Sequence, residues 1–206
     1  MKALRTTFLL FGLPAVLVWL VPATHPVLLY ERVAILNGDW WRLWTGHWVH
    51  FSFSHLAWNL AVLLAAGTWL EHLQSGRLLR FTLLAASVLS LGLLAGEPAM
   101  QTYGGLSGLA TGVVVLLALM QLDRRGADAA WWWAVLVLVA VKTGLDAIRP
   151  DALFAGFGAQ TVRPSVLAHI SGAGLAVAFF LSRQLRFCLP LSATLRPAPP
   201  SSQRAR

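Results

Sequence analysis

The stretch Phe51-Ser-Phe-Ser-His55-Leu-Ala-Trp-Asn59-Leu-Ala-Val-Leu-Leu-Ala-Ala-Gly-Thr-Trp-Leu70 decides the fold. It holds no Asp, Glu, Lys or Arg and matches the roughly 20 residues an α-helix needs to cross the hydrocarbon of a bilayer. Yet it is not uniformly apolar. His55 and Asn59 lie four residues apart and so project from one face of a helix. Polar groups at membrane depth are costly and turn toward a bundle interior. The stretch reads as one helix of a membrane bundle with an inward polar stripe.

Five more runs read the same way, at roughly residues 6–23, 79–96, 107–122, 129–147 and 165–182. The expected architecture is an all-α membrane protein of six transmembrane helices over residues 1–189, followed by a Pro-, Ser- and Arg-rich stretch, 190–206, read as a disordered cytoplasmic tail. Composition agrees, with 57% hydrophobic and 12% charged residues, against about a quarter charged in soluble domains. A secretory signal built from Met1–Arg5 and Phe8–Val21 is the other reading of the first run, but it would leave five spans and put the Arg clusters on the wrong sides.

The net charge of +8 does not point to nucleic acid, which requires Lys and Arg gathered on one solvated face. Lys2 and Arg5, Arg77 and Arg80, Arg124 and Arg125, and Arg183, Arg186, Arg196, Arg204 and Arg206 fall at alternate ends of successive runs. Arg32, Arg42, Arg149 and Arg163 lie opposite. By the positive-inside rule both termini are cytoplasmic. The single cysteine, Cys188, excludes an internal disulfide and Cys-based metal sites. Between Thr24 and Val49, Trp40, Trp41, Trp44 and Trp48 mark a structured element in the outer interface. Trp131, Trp132 and Trp133 read as an aromatic belt.

Polar side chains converge in height. Counting about 1.5 Å per residue from the cytoplasmic charge that ends each run, Ser107 and His55 lie about 24 Å up, His169 about 21 Å and Asn59 about 18 Å. Small residues repeat at spacing four on the fourth run (Gly108, Gly112) and the sixth (Ala168, Gly172, Ala176), which lets membrane helices approach closely. A serine hydroxyl needs a base to become nucleophilic, and His169 supplies one. Attack on a peptide carbonyl creates an oxyanion, for which His55, the Asn59 amide and the Ser107 N–H are candidate donors.

No carboxylate is placed in this layer, so the expected machinery is a Ser–His dyad rather than a triad. Glu97, Asp146 and Asp151 belong nearer helix ends or loops, and Lys142 and Asp146 read as a structural pair across one turn. Taken singly each signal is weak. A membrane serine ordinarily bonds its own i−4 carbonyl, and Leu109 stands where a G-x-S-x-G elbow has its second glycine. His47, His50 and His55 lack a partner ligand at metal-binding spacing. No metal or cofactor is expected, and His50 reads as a structural hydrogen-bonding residue where the outer loop enters the second span.

Trp41-Arg42, His55-Leu-Ala-Trp-Asn59, Gly105-Leu-Ser107-Gly108 and Ala168-His169-Ile-Ser-Gly172 resemble, in order, the W-R, H-x-x-x-N, G-x-S-G and A-H-x-x-G motifs of the rhomboid family. The resemblance implies a six-helix intramembrane serine endopeptidase whose partners are transmembrane protein substrates within the lipid bilayer. It implies Ser107 and His169 as the catalytic pair, His55, Asn59, Gly105 and Leu106 at the oxyanion and substrate, and Trp41, Arg42, His50, Gly108 and Gly172 as structural support. The small size and Asn37-Gly-Asp-Trp-Trp-Arg-Leu-Trp-Thr-Gly-His47 look like the rhombosortase subgroup of bacterial inner membranes, which implies processing of C-terminal Gly-rich sorting signals on the periplasmic side. A general rhomboid protease with other single-span substrates and a non-catalytic client-binding scaffold are the alternatives. A transporter would call for matched broken helices, which the sequence does not contain.

Overall fold

The computed structural model describes residues 1–148 and 165–188, with residues 183–188 as backbone alone. The expected tail, and Arg149, Asp151 and Arg163, fall outside these residues, as does the Cys188 side chain.

Among the described residues, six long helices form the body. They are α1 (Lys2–Leu20), α2 (Phe53–Leu73), α3 (Arg77–Gly96), α4 (Ser107–Asp123), α5 (Ala129–Ile148) and α6 (Val166–Cys188). The helices α1, α2, α3 and α5 are long and apolar enough to cross a membrane, while α4 and the described part of α6 are shorter apolar helices. The chain is a membrane protein.

The boundaries follow local chemistry. α1 ends earlier than hydropathy suggests, because Pro22 pushes the preceding Val21 out of the helical region to φ −122° and ψ 74°. Within α1, Phe8–Gly12 forms a π turn just before Pro14, which has no N–H to give the ladder. Ser52 caps α2 by accepting the His55 N–H at 3.1 Å. At the other end of α2, Glu71 Oε1 accepts from the Gly76 N–H at 2.8 Å and from Ser75 Oγ at 3.2 Å. That carboxylate holds the turn into α3.

α4 is the central helix, with Leu109, Val113, Leu116 and Met120 buried along it, and it packs most extensively on α6. Small residues make this possible. A Cβ added to Gly108 would lie 3.0 Å from the Ala168 carbonyl oxygen, and one added to Gly172 would lie 2.1 Å from that of Gly108. Any side chain at Gly172 must therefore force the two helices apart. α5 instead turns Trp131, Trp133, Val137, Leu138 and Val141 outward, as expected of a helix solvated by lipid.

Between α1 and α2 the chain folds into a cap of short helices, His25–Leu28, Arg32–Leu36 and Arg42–Thr45, with a 3-10 turn at Gly46–Trp48. The all-helical expectation gains one exception here. β1 (Tyr30–Glu31) pairs antiparallel with β2 (Thr102–Tyr103), Tyr30 opposite Tyr103, and ties the cap to the segment that leads into Ser107. Arg42 is buried in the cap and gives Nη1 to the carbonyls of Pro26 and Leu29, both at 2.8 Å, and Nε to Asp39 Oδ2 at 2.9 Å. Its neighbour Trp41 donates Nε1 to the Val27 carbonyl at 3.2 Å.

Candidate active site

Ser107 is the first residue of α4. The first N–H groups of a helix have no intrahelical partner and carry the positive end of its dipole. A hydroxyl there sits beside ready-made donors for a developing oxyanion. The approach is set by Gly105, at φ +117°, a conformation that favours glycine. A Cβ on Gly105 would fall 2.5 Å from His55 Cε1 and 3.6 Å from Asn59 Nδ2. The two polar residues of α2 thus face the loop immediately before Ser107, and Leu106 is fully buried behind it.

His169 lies three residues into α6 and is buried. Ser165 starts that helix as its cap, accepting the Ala168 N–H at 3.1 Å and donating to Glu97 at 3.3 Å. The Gly108–Ala168 contact brings the chain neighbours of Ser107 and His169 together. His169 Nε2 is buried with no hydrogen-bond partner among the described residues, and so is Asn59 Nδ2. The Ser107–His169 hydrogen bond is thus not made in this resting arrangement. Such bonds are often long without substrate and tighten in the complex.

The expectation that no carboxylate reaches His169 is overturned. His169 Nδ1 lies 3.1 Å from Asp146 Oδ2, and Lys142 Nζ lies 2.5 Å from the same oxygen. A helix end is not distant from this site, because Ser107 and His169 are themselves at helix ends. A signal was present. Counting up from Asp128 at about 1.5 Å per residue puts Asp146 about 27 Å high, in the layer of Ser107. The remaining candidate with described contacts, Glu97, bonds Ser165 instead.

Tyr103 was also missed. Its phenol donates to the Gly105 carbonyl at 3.2 Å, two residues before Ser107. Burial pushes the phenol up to about 12, so it stays neutral. A lone Tyr in a loop carries no periodicity, and only the β1–β2 pairing turns it toward Ser107.

The other histidines of the cap are held differently. His50 Nδ1 donates to the Trp48 carbonyl at 2.9 Å, and its ring meets that of His55 edge-on at 4.9 Å between centroids. His47 Nε2 reaches Ser90 Oγ at 3.1 Å and the Ala86 carbonyl at 3.3 Å. Among the described residues no three His, Cys, Asp or Glu side chains converge as a metal site.

A comparison with individual curated proteins gives no match. The family profile of the rhomboid domain matches residues 37–184, well over half of the chain and all of α2 to α5, and this chain therefore belongs to the rhomboid family.

Proposed function

We propose that the chain is an intramembrane serine endopeptidase in which Ser107 attacks a peptide carbonyl and His169 takes its proton. The observation that supports the reading is the meeting of α4 and α6 at Gly108 and Ala168, the chain neighbours of Ser107 and His169, with His169 buried and its Nε2 without a described partner. His55, Asn59 and the first N–H groups of α4 hold the oxyanion. Both termini are cytoplasmic by the Lys and Arg distribution, and the site opens toward the periplasmic face of a bacterial inner membrane.

The substrate is the outer end of a transmembrane segment. A helical peptide cannot present its carbonyl, so the segment must unwind, and Gly favours this by roughly 1 kcal/mol per residue over Ala. Cleavage beside Gly, Ala or Ser follows, and the sequence resemblance to rhombosortases makes a Gly-rich C-terminal sorting signal the preferred client. Replacing such a cluster with Val or Leu in a co-expressed reporter blocks its release.

The direct test is reaction of the detergent-solubilised protein with a fluorophosphonate probe and mapping of the label. Ser107 is the expected site, and Ser107→Ala abolishes labelling. Label on another serine, or reporter cleavage by Ser107→Ala, overturns the proposal.

A further inference from the structure

We propose that Asp146, held in place by Lys142, is a positioning residue for His169, so that the site works as a Ser–His–Asp array. This rests on the roles given to Ser107 and His169 above. The Asp146 and His169 side chains are both 1% exposed and meet at 3.1 Å, Nδ1 to Oδ2. Lys142, one turn earlier on α5, touches the same carboxylate oxygen, and its Nζ is 3.4 Å from His169 Nδ1.

Donor and acceptor inventory selects one tautomer. A carboxylate only accepts and an ammonium only donates. A bare Nδ1 would set its lone pair against those of Oδ2 at 3.1 Å. It would find a donor only in the Lys142 ammonium at the longer 3.4 Å, while that ammonium already serves Oδ2. The shorter 3.1 Å contact decides, so Nδ1 carries the hydrogen and donates it to Asp146, which leaves the Nε2 lone pair for the Ser107 proton. When Oγ bonds the carbonyl carbon, that proton moves to Nε2, the carbonyl π electrons move to oxygen, and the imidazolium forms next to a carboxylate.

The Lys142–Asp146 pair is more than a helix staple. A purely structural i, i+4 pair has no need of a third partner, yet Oδ2 serves both Lys142 and His169 while Oδ1 has no partner among the described residues. Lys142 compensates the carboxylate, which would otherwise be costly to bury. It also fixes which oxygen faces the imidazole.

The test uses the full chain in detergent with a single-span reporter, comparing Asp146→Ala, Asp146→Asn and Lys142→Met/Asp146→Ala with Ser107→Ala. Asp146→Ala is expected to lower kcat by at least about 10²-fold with KM within about threefold. Asn keeps an acceptor, which Lys142 draws to the same place, so Asp146→Asn falls between Ala and wild type. In ¹⁵N-histidine NMR the wild type and Asp146→Asn show His169 protonated on Nδ1, and Asp146→Ala loses that preference. The double variant leaves no uncompensated ammonium and shows the same loss of kcat, so poor folding of the single variant does not protect the idea.

Wild-type turnover in the double variant, or an unchanged tautomer in Asp146→Ala, overturns the positioning role. If Ser107→Ala is inactive in that case, the assignment of Ser107 stands. An active Ser107→Ala overturns both.

Discussion

His50 in the cap and His169 at the helix ends are both buried imidazoles with one nitrogen bonded and the other without a described partner. They differ in what the bonded nitrogen faces. For His50 it is the Trp48 carbonyl, and for His47 a serine hydroxyl and a carbonyl. Such acceptors can hold a tautomer but bring no negative charge to an imidazolium. Burial accordingly pushes His50 down to about 4, and His47 below its ordinary value as well. For His169 the bonded nitrogen faces the Asp146 carboxylate. Two histidines that look alike in sequence thus differ in surroundings, one fastening a loop through a neutral carbonyl, the other facing a carboxylate as the proposed role of proton acceptor requires.

The sharpest way to break this contrast is substitution of the rings themselves. His169→Ala and Ser107→Ala should each cost at least about 10³-fold in reporter cleavage with the fold retained, while His50→Gln at pH 7 keeps near-normal turnover. A His169→Ala enzyme running above about a tenth of the wild-type rate would remove the distinction. Next in size are the oxyanion donors. Asn59→Ala and His55→Ala should each lower kcat by about 10² to 10³, and unchanged rates in both would place the oxyanion elsewhere.

The smallest effect concerns stability and pH. Because the folded pKa of His50 is depressed from 6.5 to about 4, the unfolded chain binds a proton between those values and the folded chain does not. Stability is therefore full above pH 6.5 and falls as pH drops toward 4, by about 3 kcal/mol for this group. His47 acts in the same direction. Thermal unfolding in detergent at pH 7 and pH 4.5 should show a smaller acid shift in His50→Gln than in wild type. Equal shifts would mean that the ring is not shielded as described.

Hydropathy found the long helices but misplaced some ends: Pro22 stops the first at Leu20, and helix geometry carries the first back to Lys2 and the sixth on to Cys188, past the ends of their apolar runs. The structure sets His55 and Asn59 against the loop that leads to Ser107, which the rise arithmetic had anticipated as a shared height. Two things were not legible. Tyr103, held by a two-residue strand pairing between distant loops, bonds the Gly105 carbonyl just before Ser107, a contact with no local signature. Asp146 stood at the right height, but height does not say which way a side chain points around its helix.

What the sequence determined alone is the membrane setting and the height of each polar group along its own helix, because apolar length and the ~1.5 Å rise are properties of a single helix. What only the tertiary structure decided is who meets whom at that depth. Rotation and proximity of neighbouring helices are set by packing, between α4 and α6 by Gly172 seated on the Gly108 carbonyl, and the placing of α5 beside α6 brought Lys142 and Asp146, read as a structural pair, to His169.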